Sequence, residues 1–137
     1  MAKDLIHDPV KDALENDGWT VTSEHFTVRY EELTIQPDIA AERVIAAQRG
    51  LEKIAVEVKS FLGRSTTKDV RDALGQYVIY QTYLEDVEPD RKVYLGISTR
   101  AYHDTFQLKA VQRLVERFSV LLVVVDIEQK EVVLWTD

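Results

Sequence analysis

The sequence predicts an α/β protein whose mixed sheet is covered by helices on both faces. Two stretches, near residues 68–85 and 108–118, carry apolar residues at helical spacing, and each is followed by a short apolar run, Val93–Ile97 and Val120–Val125. Such runs read as strands buried on both faces, whereas segments nearer the start alternate apolar and polar residues. The 137-residue chain is 45% hydrophobic, enough for one continuous core, and no repeat or linker divides it. A single domain over 1–137 is expected.

The elements follow in order. Asp8-Pro9 reads as an N-cap and first helical residue; Val10, Ala13 and Leu14 keep helical spacing until Asn16-Asp17-Gly18 closes the helix. Trp19–Thr22 and Phe26–Tyr30 read as one bent or interrupted strand, with Leu33-Thr34-Ile35 extending the same sheet edge. Between 38 and 60 the alanines and glutamates favour helix by propensity. However, Ile54, Val56 and Val58 alternate with Ala55, Glu57 and Lys59, and Arg49-Gly50 interrupts the run, so a hairpin pairing 39–48 with 52–60 is expected. A main helix over 68–85, a turn at Glu88-Pro89-Asp90, a strand at 93–97, a helix at 108–118, a strand at 120–125 and a closing strand at 132–135 complete the order α-β-β-β-α-β-α-β-β.

Charge narrows the function. A net charge of −7 argues against a generally basic nucleic-acid binder. A local stripe of Lys53, Lys59, Arg64, Lys68 and Arg71 could still face a phosphate backbone, or these could be scattered solvated charges. The absence of cysteine excludes disulfides, a thiol nucleophile and a cysteine zinc site. Met1–Asp8 has no apolar signal core, and no apolar run approaches the ~18 residues of a membrane span, so a soluble, cytoplasmic protein is expected. Ser60, Ser65 and Thr66 have no visible histidine and carboxylate partner, and no glycine-rich phosphate loop occurs.

The chemistry concentrates in Glu57-Val58-Lys59, an acid and a lysine inside an apolar strand. On a strand these two residues share a face; on a helix they would point about 200° apart. With Asp38 opening the partner strand, two carboxylates, the Val58 carbonyl and waters make an oxygen-rich set suited to magnesium or manganese. Lys59 on the same face is suited to orienting an attacking hydroxide at a phosphorus centre. The structural alternative is a solvated surface pair.

Pro37-Asp38 followed by Glu57-Val58-Lys59, in this element order, resembles the PD-(D/E)xK phosphodiesterase superfamily, which implies a restriction-endonuclease-like α-β-β-β-α-β core. Gln76 and Tyr80 are similar to the Gln-x-x-x-Tyr motif of its exonuclease branches; as i and i+4 they share a helix face. His7 stands where related resolvase-like nucleases often carry a metal-binding glutamate. The resemblance therefore implies Asp38, Glu57, Lys59 and Gln76 as catalytic residues, Asp38, Glu57 and Val58 as ligands, and His7 and Tyr80 as auxiliaries. The segments Ala13–Thr22, Ala41–Ala47, Lys53–Phe61 and Ala73–Tyr77, with Glu88–Arg91 and Val133-Leu134-Trp135, resemble the XisH proteins of cyanobacteria. That likeness implies an fdxN-element excision controlling factor, acting with a companion, XisI, and a separate recombinase on DNA. A homodimer is common among such nucleases. A regulatory subunit without catalysis, or a DNA-binding module without chemistry, are the alternatives.

Overall fold

The computed structural model describes residues 6–35 and 44–136. Helix α1 spans His7–Asn16, beginning before the expected Asp8-Pro9 start, with Ile6 at the N-cap and no capping side chain. Pro9 is tolerated in the first turn, where its missing N–H would have no helical acceptor. The helix ends as expected: Gly18, at φ +94°, lets its own N–H reach the Glu15 carbonyl and the Trp19 N–H the Leu14 carbonyl. These two bonds form a Schellman cap.

The segments expected as one bent strand are two strands in different sheets. β1 (Thr20–Ser23) pairs with the main sheet, whereas β2 (Val28–Tyr30) pairs antiparallel only with β3 (Leu33–Ile35). The separation has a packing cause. Val28 is buried against the second helix, and Tyr30 stacks on that helix's Tyr83 at 4.5 Å, which draws the ribbon off the sheet edge.

β4 (Val44–Arg49) and β5 (Glu52–Val58) form the expected hairpin, in register from Arg49↔Glu52 to Val44↔Glu57. Gly50, at φ +60°, opens its two-residue turn. Tertiary pairing overrides the helix propensity of the alanines, because β4 lies between β1 and β5 and buries Ile45, Ala46 and Ala47. Residues 39–43 of the expected strand lie outside the described residues, as does Asp38.

Helix α2 (Thr66–Val87) is longer than expected because Ser65 caps it, accepting from the Lys68 N–H at 3.1 Å. β6 (Arg91–Ser98), α3 (Thr99–Asp104), α4 (Lys109–Arg117), β7 (Leu122–Asp126) and β8 (Glu131–Trp135) follow. The short α3 was not expected; its signal is Ser98, whose hydroxyl accepts from the Ala101 N–H.

The main sheet has the order β1-β4-β5-β6-β7-β8, parallel across β5-β6-β7 and antiparallel at both flanks. Both parallel crossovers step in one direction. With the usual right-handed crossover they set α2, α3 and α4 on one face. Residues Ala55, Val93, Leu95, Ile97, Leu122 and Val124 pack there with Tyr77, Tyr80 and Leu84 of α2. The opposite side chains, among them Ile54, Val56, Val58 and Val123, pack with Val10, Ala13 and Leu14 of α1. Gly96 on β6 lies so close to its neighbour that an added Cβ would stand 2.6 Å from Val56 Cγ1.

Candidate functional site

Strand alternation decides where the chemistry sits. Glu57 and Lys59 have the parity of Ala55, whose side chain belongs to the α2 core, so both point to that face. They are only 2% and 9% exposed. The surface-pair alternative is therefore excluded. A buried carboxylate or ammonium costs several kcal/mol unless opposite charge, hydrogen bonds or a ligand compensate it.

Helix α2 runs back along β5 and presents Asp72, Gln76 and Tyr80, spaced i, i+4 and i+8, on one stripe. Tyr80 is 2% exposed, and its hydroxyl has no hydrogen-bond partner among the described residues; neither has the buried Gln76 Oε1. Burial raises the Tyr80 phenol well above its ordinary pKa, and the Glu57 carboxylate adds to the rise. Asp72 is held below the usual carboxylate range, first by its hydrogen bond to Lys68 at 2.8 Å, with the Lys59 charge contributing. Glu57 is thus sensed at Tyr80 and Lys59 at Asp72, the order expected for a strand and helix running in opposite directions.

Val58 is fully buried on the α1 side, so only its main chain is available to a ligand. The Lys59 N–H donates to the Gly96 carbonyl at 3.1 Å, which extends the β5–β6 ladder to the site. Beyond it, at the C-terminal ends of the parallel strands, Ser60, Ser98, Arg100 and Thr105 line a cleft of about 270 Å³. Ligand crevices commonly open at such strand ends. Sequence reasoning missed Ser98 and Arg100; the Ser98-Thr99 helix start was their signal.

His7 is placed elsewhere. Its helix covers the other face of the sheet, away from the Gln76–Tyr80 stripe. Its Nε2 lies 2.9 Å from Glu24 Oε1, and Lys11 Nζ donates to Glu24 Oε2 at 3.1 Å. His7, Asp8 and Glu24 bring potential ligand atoms within 4.8 Å of one another, but the Lys11 ammonium already supplies positive charge at Glu24. The hydrogen bonds from His7 and then Lys11 depress the Glu24 pKa.

The candidate cationic stripe is split: Lys59, Lys68 and Arg71 all act on the Asp72 carboxylate, whereas Lys53 lies apart. Lys53 and Lys59 are six residues apart on extended chain, about 20 Å, and Lys53 lies between Glu88 and Asp90 at 3.8 and 3.7 Å. Tyr77 is a core strut: its hydroxyl donates to the Val93 carbonyl and accepts from the Leu121 N–H. Among the described residues no helix is long and apolar enough to cross a membrane.

Comparison with known proteins places this geometry in a family. An XisH family protein from Nostoc punctiforme PCC 73102 superposes with a TM-score of 0.90 at 35% identity, covering 98% of this chain and 100% of that one. An fdxN element excision controlling factor protein from Anabaena variabilis gives 0.88 at 36% identity, covering 96% and 98%. No match was found among the curated proteins. The family model for the XisH protein matches residues 1–133, and the chain belongs to the XisH family.

Proposed function

We propose that this chain is an excision controlling factor of the fdxN-element type, built on a restriction-endonuclease-like core, and that its β5–α2 site hydrolyses DNA phosphodiesters with magnesium or manganese. The observation that carries the reading is the burial of Glu57 and Lys59 beside two buried polar groups, Gln76 Oε1 and Tyr80 Oη, that have no hydrogen-bond partner among the described residues. Native interiors rarely leave such groups unsatisfied, and clusters of them mark sites that a ligand or water completes. The three oxygen-bearing groups match a hard divalent ion and its hydration shell in chemical type, and the ammonium matches an anionic oxygen.

Asp38, the Glu57 carboxylate and the Val58 carbonyl would hold the ion. When bound, it supplies charge stabilisation at the phosphorus and lowers the pKa of water. Lys59 orients the nucleophile and offsets negative charge in a site poor in water. Gln76 fixes a water or phosphate oxygen through its amide, and Tyr80, held protonated by burial and by Glu57, acts as a hydrogen-bond donor. Arg100, which lines the strand-end cleft and pairs with Asp104 at 3.5 Å, offers a cation to the DNA backbone.

The test is purified protein with magnesium or manganese on linear, nicked and branched DNA. Cleavage lost in each of Asp38→Ala, Glu57→Ala and Lys59→Ala supports the assignment; cleavage that survives all three refutes it. The net charge of −7 favours a second reading, a non-catalytic subunit acting through a companion factor such as XisI or the recombinase complex. Under that reading the same substitutions leave partner binding and excision intact.

A further inference from the structure

A second concave surface is remote in chemistry from the β5–α2 site. An open groove of about 790 Å³ runs between α2 and α4, walled by Val70, Leu74, Val78, Val111 and Leu114. At its rim Ile79, Leu108 and Phe118 remain 40%, 47% and 40% exposed. Isolated exposed apolar residues are ordinary, but a contiguous apolar trough is a docking surface.

Two independent features say what docks. The first is Gly75, which lines the groove in the middle of α2, where glycine is among the poorest helix formers. A Cβ built there meets nothing within 4 Å, so packing within the described chain does not demand glycine. A missing side chain in a helix wall admits the close approach of another backbone. The second is charge. Arg71 lines the groove, Lys109 lies between the lining residues Leu108 and Ala110, and Arg117 precedes the lining residue Phe118. Among the described residues none of these three has an ion-pair partner, whereas Asp72 is paired with Lys68 and Glu116 with Arg113. In a chain of net charge −7, the cations at and next to this apolar groove thus carry no ion-pair partner among the described residues.

We infer that the α2–α4 groove receives an amphipathic helix of a partner protein, its apolar stripe seated over Gly75 and acidic residues flanking that stripe. Thr66 to Ile79 spans about 20 Å of helix, which matches a partner segment of about 14 residues. A second copy docked by two-fold symmetry would bring the same cations to both sides of the interface. The inference is independent of metal chemistry at Glu57.

The probe is a fluorescein-labelled helical peptide of about 14 residues, with leucines at i, i+3, i+4 and i+7 and glutamates on its flanks. A matched peptide with lysine flanks is the control, and fluorescence anisotropy against the full chain is the readout. The acidic peptide should bind saturably, the lysine peptide at least ~10-fold more weakly. Gly75→Leu and Ile79→Glu should each weaken binding ~10-fold or more while circular dichroism is unchanged. Arg71→Glu combined with Lys109→Glu should reverse the flank preference. No binding, equal binding of both peptides, or binding unaffected by Gly75→Leu would overturn the inference. So would a dimer in sedimentation velocity that Ile79→Glu dissociates, because it would assign the groove to a second copy.

Discussion

The Glu57 carboxylate lies within electrostatic reach of the buried Tyr80 hydroxyl, and it helps to hold that phenol protonated. The pair joins the middle of the sheet to the middle of the longest helix. The hydroxyl has no partner among the described residues, although Tyr77, one turn earlier, uses its own hydroxyl twice.

Two tyrosines of equal burial should therefore respond oppositely to loss of a hydroxyl. Tyr77→Phe strands the Leu121 N–H and the Val93 carbonyl and should cost about 1–3 kcal/mol. Tyr80→Phe removes an unsatisfied group and should leave stability within about 1 kcal/mol of the parent, or raise it. Urea midpoints at constant m value make the comparison. Equal losses would mean that Tyr80 has a partner within the folded chain.

Glu57→Gln keeps shape while removing charge. In a protein that still folds, it should abolish magnesium or manganese binding by calorimetry, and Lys59→Met should lower DNA cleavage by about 10²-fold or more while sparing ion binding. Retained ion binding in Glu57→Gln would remove Glu57 from the ligand set.

Glu24 sets an acid dependence. Its folded pKa lies below the ordinary 4.5 because His7 and Lys11 hydrogen-bond to its carboxylate. A depressed carboxylate stabilises the fold above its unfolded pKa, and that contribution is lost as pH falls through the lower, folded value. The parent should accordingly be more stable than Glu24→Gln at neutral pH, and the gap should close as pH falls below 4.5. The pair is partly solvent-screened, so the gap should be modest. Thermal melts of both proteins between neutral and acid pH would read it, and a gap that persists at the acid end would contradict the linkage.

Two glycines should separate by sign. Gly96→Ala drives a methyl against the stiff Val56 side chain and should cost about 1–3 kcal/mol. Gly75→Ala faces open space in a helix interior and should stabilise by about 1 kcal/mol. Chemical denaturation of both variants checks the pair; destabilisation by Gly75→Ala would mean that the helix wall is already packed there.

Periodicity by itself determined most of the architecture: the opening helix closed by Gly18, the β4–β5 hairpin, the long α2, the apolar strands and the closing hairpin are all local patterns. It also put Glu57 and Lys59 on one face, because strand alternation needs no distant information. Tertiary structure decided what lies opposite. Only the packing of Val28 and Tyr30 against α2 moved β2 and β3 off the main sheet, and only the two same-direction crossovers set the Gln76–Tyr80 stripe over Glu57, while α1 carries His7 on the other face. The burial of the Glu57–Lys59 pair, the Tyr80 hydroxyl without a partner among the described residues and the open space beside Gly75 are properties of elements far apart in the chain. Sequence periods specify faces within an element; which faces meet depends on crossover handedness and on the apolar area they bury together.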